Sequence, residues 1–215
     1  MGTSAGFWDR IAERYARQPV ADEASYQKKL EITRRYFRPD SQVMEFGCGT
    51  GSTAIAHAPF VKHIHAIDVS ANMIAIARRK AEAQDIDNVT FEQATIEAYD
   101  APDGSLDAVL GMSILHLLDD KEAALAKVLR LLKPGGVFAS STVCLGDTMA
   151  FFKYIAPIGA FFRVIPSVKV LTEQELLAAI TRAGFAIDHQ WRPDKPNGKG
   201  KSLAVFIVAR KPAAA

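Results

Sequence analysis

A chain of 215 residues, 49% of them hydrophobic and 23% charged, can enclose a sizeable core, and a net charge of +2 makes neither nucleic acid nor an anionic membrane a required partner. The two cysteines, Cys48 and Cys144, lie too far apart in sequence to suggest a metal-ligand pair or a disulfide framework, so no metal is expected and a reducing cytoplasm suits them. No signal peptide is expected at Met1 to Arg17, which carries Asp9, Arg10, Glu13 and Arg14, and no spanning helix at Phe151 to Val170, which Lys153, Pro157, Arg163, Pro166 and Lys169 interrupt.

Apolar residues at helical spacing, first Phe7, Ile11 and Tyr15 and then Leu30, Ile32 and Phe37, predict a helical leader over residues 1–38 that Pro39 ends. From Gln42 onward, runs rich in β-branched residues alternate with helical segments, the pattern of repeated βαβ units around a mostly parallel sheet. Strands are expected near 42–46, 63–68, 89–93, 108–111, 137–143, 186–191 and 203–210, with helices at 51–58, 71–84, 121–132 and 173–183. The last helix has Thr172 as N-cap, Glu175 three residues later to complete a capping box, and Gly184 just past its end. Residues 145–171, with Phe151, Phe152, Tyr154, Phe161 and Phe162, form a stretch too long for an ordinary connection and are expected to be a lid within a single domain spanning 1–215. Arg192 to Lys201 is too short for a crossover helix, so the last two strands should form an antiparallel hairpin.

Chemistry concentrates where the first strand, Gln42 to Phe46, runs into Gly47-Cys48-Gly49-Thr50-Gly51 and then a helix. Glycines let the backbone turn sharply and approach a ligand at the carboxyl end of a strand, where open α/β sheets bind ligands. The second strand ends at Asp68, a carboxylate placed to accept bonds from ribose hydroxyls, while Ser70 is free to cap the following helix. Nicotinamide enzymes share this logic, but their fingerprint needs Gly or Ala where Ser52 stands, and Glu45 suits a ligand bearing an ammonium and a sulfonium better than a pyrophosphate. A nicotinamide-dependent oxidoreductase is therefore the weaker reading, and a non-catalytic sensor of an adenosyl ligand is another alternative.

The segment Glu45-Phe46-Gly47-Cys48-Gly49-Thr50-Gly51, together with Asp68, resembles the first two motifs of class I S-adenosylmethionine-dependent methyltransferases, and the likeness extends over nearly the whole chain. It implies a Rossmann-like three-layer α/β sandwich whose seven-stranded, mostly parallel sheet has the order 3-2-1-4-5-7-6, with strand 7 antiparallel and helical cap elements. It implies S-adenosylmethionine as cofactor and S-adenosylhomocysteine as product. Backbone at Gly47, Cys48, Gly49 and Gly51 would hold the methionyl part and ribose, Asp68 the ribose, and Val69 and Met73 the adenine, with Met73 equally readable as core. Thr95 stands where many relatives carry an aspartate for the adenine amino group, Ile96 supplies the next backbone amide, and Met112 lies at the ligand-facing end of strand four. Leu131 to Gly136 is similar to a late structural motif, a helix stop and turn before strand five. The leader Phe7 to Tyr15 and the segment Ile155 to Gly159 resemble bacterial small-molecule methyltransferases, including the quinone-methylating branch; Tyr15 would then bond the cofactor carboxylate or serve the core.

Transfer from a sulfonium needs no acid for the leaving group, so the enzyme mainly positions reactants and excludes water. A base helps only if the acceptor must lose a proton, and His116 at the rim of the site is the catalytic candidate, against a structural histidine at a helix start. Met112-Ser113-Ile114-Leu115 stands where amino-methylating nucleic-acid enzymes carry an Asn or Asp-Pro-Pro-Tyr-like sequence, which disfavours nucleic acid, and Lys195, Lys199 and Lys201 read as solvated hairpin lysines. The expected partner is a small, apolar or aromatic acceptor enclosed by Phe7, Trp8 and the aromatics of 145–171, unless those rings simply pack the lid; nothing indicates a homo-oligomer.

Overall fold

The structure, a computed structural model, describes residues 4–147, 168–195 and 200–213. Phe151, Phe152, Tyr154, Phe161, Phe162 and the segment 155–159 lie outside the described residues, as does Lys199.

The leader is two helices, α1 (Ser4–Ala16) and α2 (Glu23–Arg34), rather than one run. Pro19 lies in the connection, and Asp22 starts the second helix by accepting a hydrogen bond from the Ser25 amide at 3.0 Å. Strands β1 (Gln42–Phe46), β2 (His63–Asp68), β3 (Val89–Gln93), β4 (Leu106–Met112), β5 (Leu132–Val143), β6 (Ala186–Trp191) and β7 (Ala204–Arg210) form one sheet in the order β3-β2-β1-β4-β5-β7-β6. All pairs are parallel except those of β7, which runs antiparallel to both β5 and β6. The order and the reversed strand are those the family likeness implies.

Helices α3 (Ser52–His57), α4 (Ala71–Glu82), α5 (Lys121–Leu131) and α6 (Glu173–Arg182) complete the fold. Because successive strand side chains point to opposite faces, β1 feeds two cores at once. Met44 and Phe46 join Leu125, Val128, Leu176 and Ile180 of α5 and α6. Val43 joins Ile32, Ile55, Ile74 and Ala77 of α2, α3 and α4 on the other side, giving three layers. The capping box of α6 forms as read, with Thr172 and Glu175 bonding each other's backbone amides. Strand five begins earlier than its composition suggests. Leu106 pairs with Leu132 and Ala108 with Val137, so Lys133 to Gly136 bulge from the ladder and the expected turn sits inside the strand's span. Among the described residues, no helix is long and apolar enough to cross a membrane.

Candidate functional site

The parallel pairing of β1 with β2 brings Phe46 beside Ile67, so the two strands end together and their exits form the rim of one site. The backbone leaves β1 through Gly47 (φ 65°), Gly49 (φ 53°) and Gly51 (φ 75°), all in the left-handed region that glycine tolerates. Their surroundings differ. A Cβ on Gly47 would lie 2.7 Å from the Ile114 side chain, and one on Gly51 2.7 Å from Phe91 and 2.8 Å from Ala77, whereas one on Gly49 would meet nothing within 4 Å. Packing claims the outer two positions, and open space borders the middle one.

Asp68 ties the two strand ends together. Its Oδ2 accepts from the Gly49 amide at 2.9 Å and its Oδ1 from the Ser70 amide at 2.9 Å. Burial raises its pKa, and the two amides oppose that shift. Ser70 caps α4 by accepting from the Met73 amide at 3.1 Å, and its hydroxyl donates to Asp9 of α1 at 2.6 Å. Asp9 also accepts from the Asn72 amide at 3.1 Å, so the first leader helix is clamped beside Asp68.

Glu45 is 1% exposed, and its Oε2 has no hydrogen-bond partner. Burial, then the Asp68 carboxylate, pushes its pKa up to about 8. A buried carboxyl in this state accommodates a cation that restores its charge.

A cavity of about 520 Å³ opens at Glu45 and the glycine turn, and Asp68, bonded to the Gly49 amide, is not among its lining residues. The α1–α2 connection from Tyr15 to Ala21 borders it, and Tyr26 and Lys29 of α2 form one wall. Glu45, Gly47, Cys48 and Gly49 line it at the β1 end; Met112, Ser113, Ser141, Ser202 and Ala204 line it toward β4, β5 and β7. The donor set fits an adenosyl amino-acid sulfonium. Glu45, with one orphaned carboxylate oxygen, lines the volume, the open side of Gly49 leaves room for close backbone approach, and Asp68 keeps a lone pair on each oxygen for a ribose.

Of the residues singled out from sequence, Tyr15, Glu45, Gly47, Cys48, Gly49 and Met112 line this cavity. The Tyr15 phenol pKa is raised by burial and by the Asp68 carboxylate, although 47% of the residue is exposed. Cys48 is buried, and its thiol is pushed well up by burial and by Glu45. Gly51 starts α3 behind the turn. Val69 accepts from Gln93 through its carbonyl, and Thr95 accepts from the Ala98 amide at 3.2 Å, leaving its hydroxyl proton to donate. Met73 packs with Ala12 and Ile76 beneath α1, and Ile96 lies in the core shared with α5. His116, in the turn Leu115–Leu117 after β4, is 8% exposed with Nδ1 unpartnered, and burial lowers its pKa to about 4. It is not among the cavity's lining residues. Phe7 and Trp8 meet edge to face with ring centroids 5.2 Å apart, and Trp8 packs against the Met73 cluster.

Sequence reasoning missed Tyr26, Lys29 and Ser141, which line the cavity from three separate elements or turns of helix. Tyr26 is hydrogen-bonded to Thr53, and Lys29 Nζ donates to Ser141 Oγ at 2.9 Å across 112 residues of chain. Only the positions of Tyr26 and Lys29 three residues apart on one helix face hinted at a shared surface.

Residues 43–136 match the family described as a methyltransferase domain. An uncharacterized methyltransferase of Bacillus subtilis, YcgJ, is 32% identical over 131 residues, 61% of this chain, and the chain spans 51% of that relative. Its crystal structure superposes with a TM-score of 0.71 at 18% identity, covering 88% of this chain and all of that one (100%). Geranyl diphosphate C-methyltransferase from Streptomyces coelicolor, solved with S-adenosylhomocysteine, gives a TM-score of 0.71 at 18% identity over 88% of this chain and 79% of its own. The [4+2]-cyclase SpnF gives 0.72 at 19% identity over 87% and 81%, so this fold alone does not dictate methyl transfer. The family match falls on the very residues that build the glycine turn, Asp68 and the β4 exit, and the sheet has the order that the resemblance to class I S-adenosylmethionine-dependent methyltransferases implies, so residues 43–136 form a methyltransferase domain.

Proposed function

We propose that this protein transfers the methyl group of S-adenosylmethionine to a small-molecule acceptor bound in the same cavity. The observation that carries the reading is Glu45: a fully buried carboxyl with an unpartnered oxygen lines a cavity beside a backbone turn open to close approach. A nicotinamide dinucleotide would bring negative phosphates toward that carboxyl, whereas an amino-acid sulfonium brings positive charge. When bound, the cofactor supplies an electrophilic methyl group whose departure leaves a neutral thioether.

The chain's own contribution is placement. Gly47 and Gly49 present main chain to the ligand, Asp68 holds the ribose, and Glu45 takes the ammonium. Tyr15, from the leader, reaches the carboxylate end of the amino acid. Thr95 and the Ile96 amide meet the adenine, with Val69 and Met73 at its faces. Orienting two reactants in a water-poor cavity accounts for much of the acceleration such a displacement needs. His116, neutral at physiological pH, serves as base only for an acceptor that must lose a proton.

The test is incubation with methyl-labelled S-adenosylmethionine and fractionated cell extract. Label should appear in a low-molecular-mass fraction and disappear with Gly49→Val. Tight binding of S-adenosylhomocysteine without label in any fraction would instead identify a sensor of the ligand.

A further inference from the structure

We propose, building on the methyltransferase reading, that Lys29 marks an anionic-group subsite and that the acceptor carries a carboxylate or similar anion to it. The cavity holds one conspicuous cation away from the glycine turn. Lys29 Nζ donates to Ser141 Oγ at 2.9 Å, and among the described residues it makes no ion pair. Asp22, the acid that acts on it electrostatically, already caps α2 through the Ser25 amide. An ammonium has three donors, and a neutral hydroxyl satisfies one. Removing a cation from water without an opposite charge is costly, and burial lowers the Lys29 pKa accordingly. A ligand anion reverses that cost and completes the donor set.

Position separates this subsite from the nucleoside. In the strand order, β4 lies between β1 and β5, so Ser141 stands about 10 Å from the β1 end at ordinary strand spacing, while Asp68 on β2 lies on the opposite side. Ser141 also accepts, through its carbonyl, the amide of Ser113 at 2.7 Å. Ser113 holds φ at 59°, an uncommon conformation for a residue with a side chain, at the exit of β4. Lys29, Ser141 and Ser113 thus form a polar wall of a cavity that the acidic Glu45 also lines, with Asp22 acting on the lysine. An anion at that wall and a cation at Glu45 leave the space between for the reacting atoms.

The experiment saturates the protein with S-adenosylhomocysteine and titrates a panel of aromatic and straight-chain carboxylates, each against its neutral carboxamide. Wild-type protein should bind at least one carboxylate about tenfold or more tightly than its carboxamide. Lys29→Met should erase the preference and Lys29→Arg should keep it, with S-adenosylhomocysteine affinity within about twofold of wild type in both. If Lys29→Met weakens S-adenosylhomocysteine about tenfold or more, the lysine serves the cofactor's own carboxylate and the inference fails. If S-adenosylhomocysteine binds but wild type never distinguishes carboxylate from carboxamide, this subsite alone is wrong. Failure of wild type to bind S-adenosylhomocysteine at all removes the functional reading and this inference with it.

Discussion

The two ends of the cavity are built by different means. The proposed nucleoside end takes its parts from neighbouring strand exits: the glycine turn and Asp68 are tied by an amide-to-carboxylate bond, Gly49 to Asp68 at 2.9 Å, and Glu45 lies near the end of the same first strand. The proposed acceptor end is assembled from α2, β5 and the β6–β7 connection, and the bond from Lys29 to Ser141 joins residues 112 positions apart. One end is a local device that can be carried from protein to protein. The other is a property of tertiary assembly, where acceptor choice can vary while the donor site stays constant.

The sharpest break in that comparison comes at Gly49. Gly49→Val fills the open space beside the cavity, and S-adenosylhomocysteine affinity should fall at least about a hundredfold in calorimetry, with a stability loss of about 1–2 kcal/mol from the left-handed backbone. Gly51→Ala should do the reverse: its Cβ meets Phe91 and Ala77, so stability falls by about 2–4 kcal/mol in denaturant unfolding while the folded fraction keeps its affinity.

Asp68→Ala comes next. It removes a charged acceptor at the ribose end and releases both the Gly49 and Ser70 amides, and binding should weaken by about 1.5–3 kcal/mol. Unchanged affinity would mean the carboxylate only latches the two strand exits together.

Glu45→Gln should lower affinity about tenfold by removing a charge-assisted bond. It has a second signature. A folded-state pKa raised from 4.5 to about 8 makes Glu45's contribution to stability full below 4.5 and lost as pH rises through 8, so the ligand-free wild type should lose more stability between pH 6 and 9 than the variant. Equal slopes in thermal melts would contradict the assigned environment.

A pH effect of the opposite sign, in stability alone, is expected at His116. Burial lowers its pKa from 6.5 to about 4, so its contribution is present above 6.5 and lost as pH falls toward 4. His116→Leu should spare on the order of 3 kcal/mol of acid-induced destabilisation, read from chemical unfolding at pH 7 and pH 4. His57, pushed to about 3, adds loss in the same direction that the variant does not remove.

What the sequence disclosed follows the same division. Strands β1, β2, β3 and β6 have the bounds read from their composition, because each is a short run with β-branched or aromatic residues between stretches of different pattern. The glycine turn and Asp68 were legible because their chemistry depends on residues within one βαβ unit. The start of β5 was not: Pro134, Gly135 and Gly136 carry turn chemistry, and only pairing with β4 shows that the ladder resumes beyond a bulge. Lys29 was hidden for a related reason, since a lysine on an amphipathic helix reads as solvated until tertiary packing puts Ser141 beside it. Asp9, which enters the sequence reading only as a charge that interrupts an apolar leader, finds its partners where α1 meets the start of α4.

The central claim is that a buried carboxyl waits at the end of β1 for a cationic adenosyl ligand. Titrating S-adenosylhomocysteine into wild-type protein at pH 7, in two buffers of different ionisation enthalpy, tests it most directly. The account predicts one-to-one binding with release of close to one proton, as Glu45, whose pKa stands at about 8, is driven to its charged form by the ligand's ammonium. Binding with no proton released, or no binding at about 1 mM ligand, a free energy near 4 kcal/mol, would contradict it.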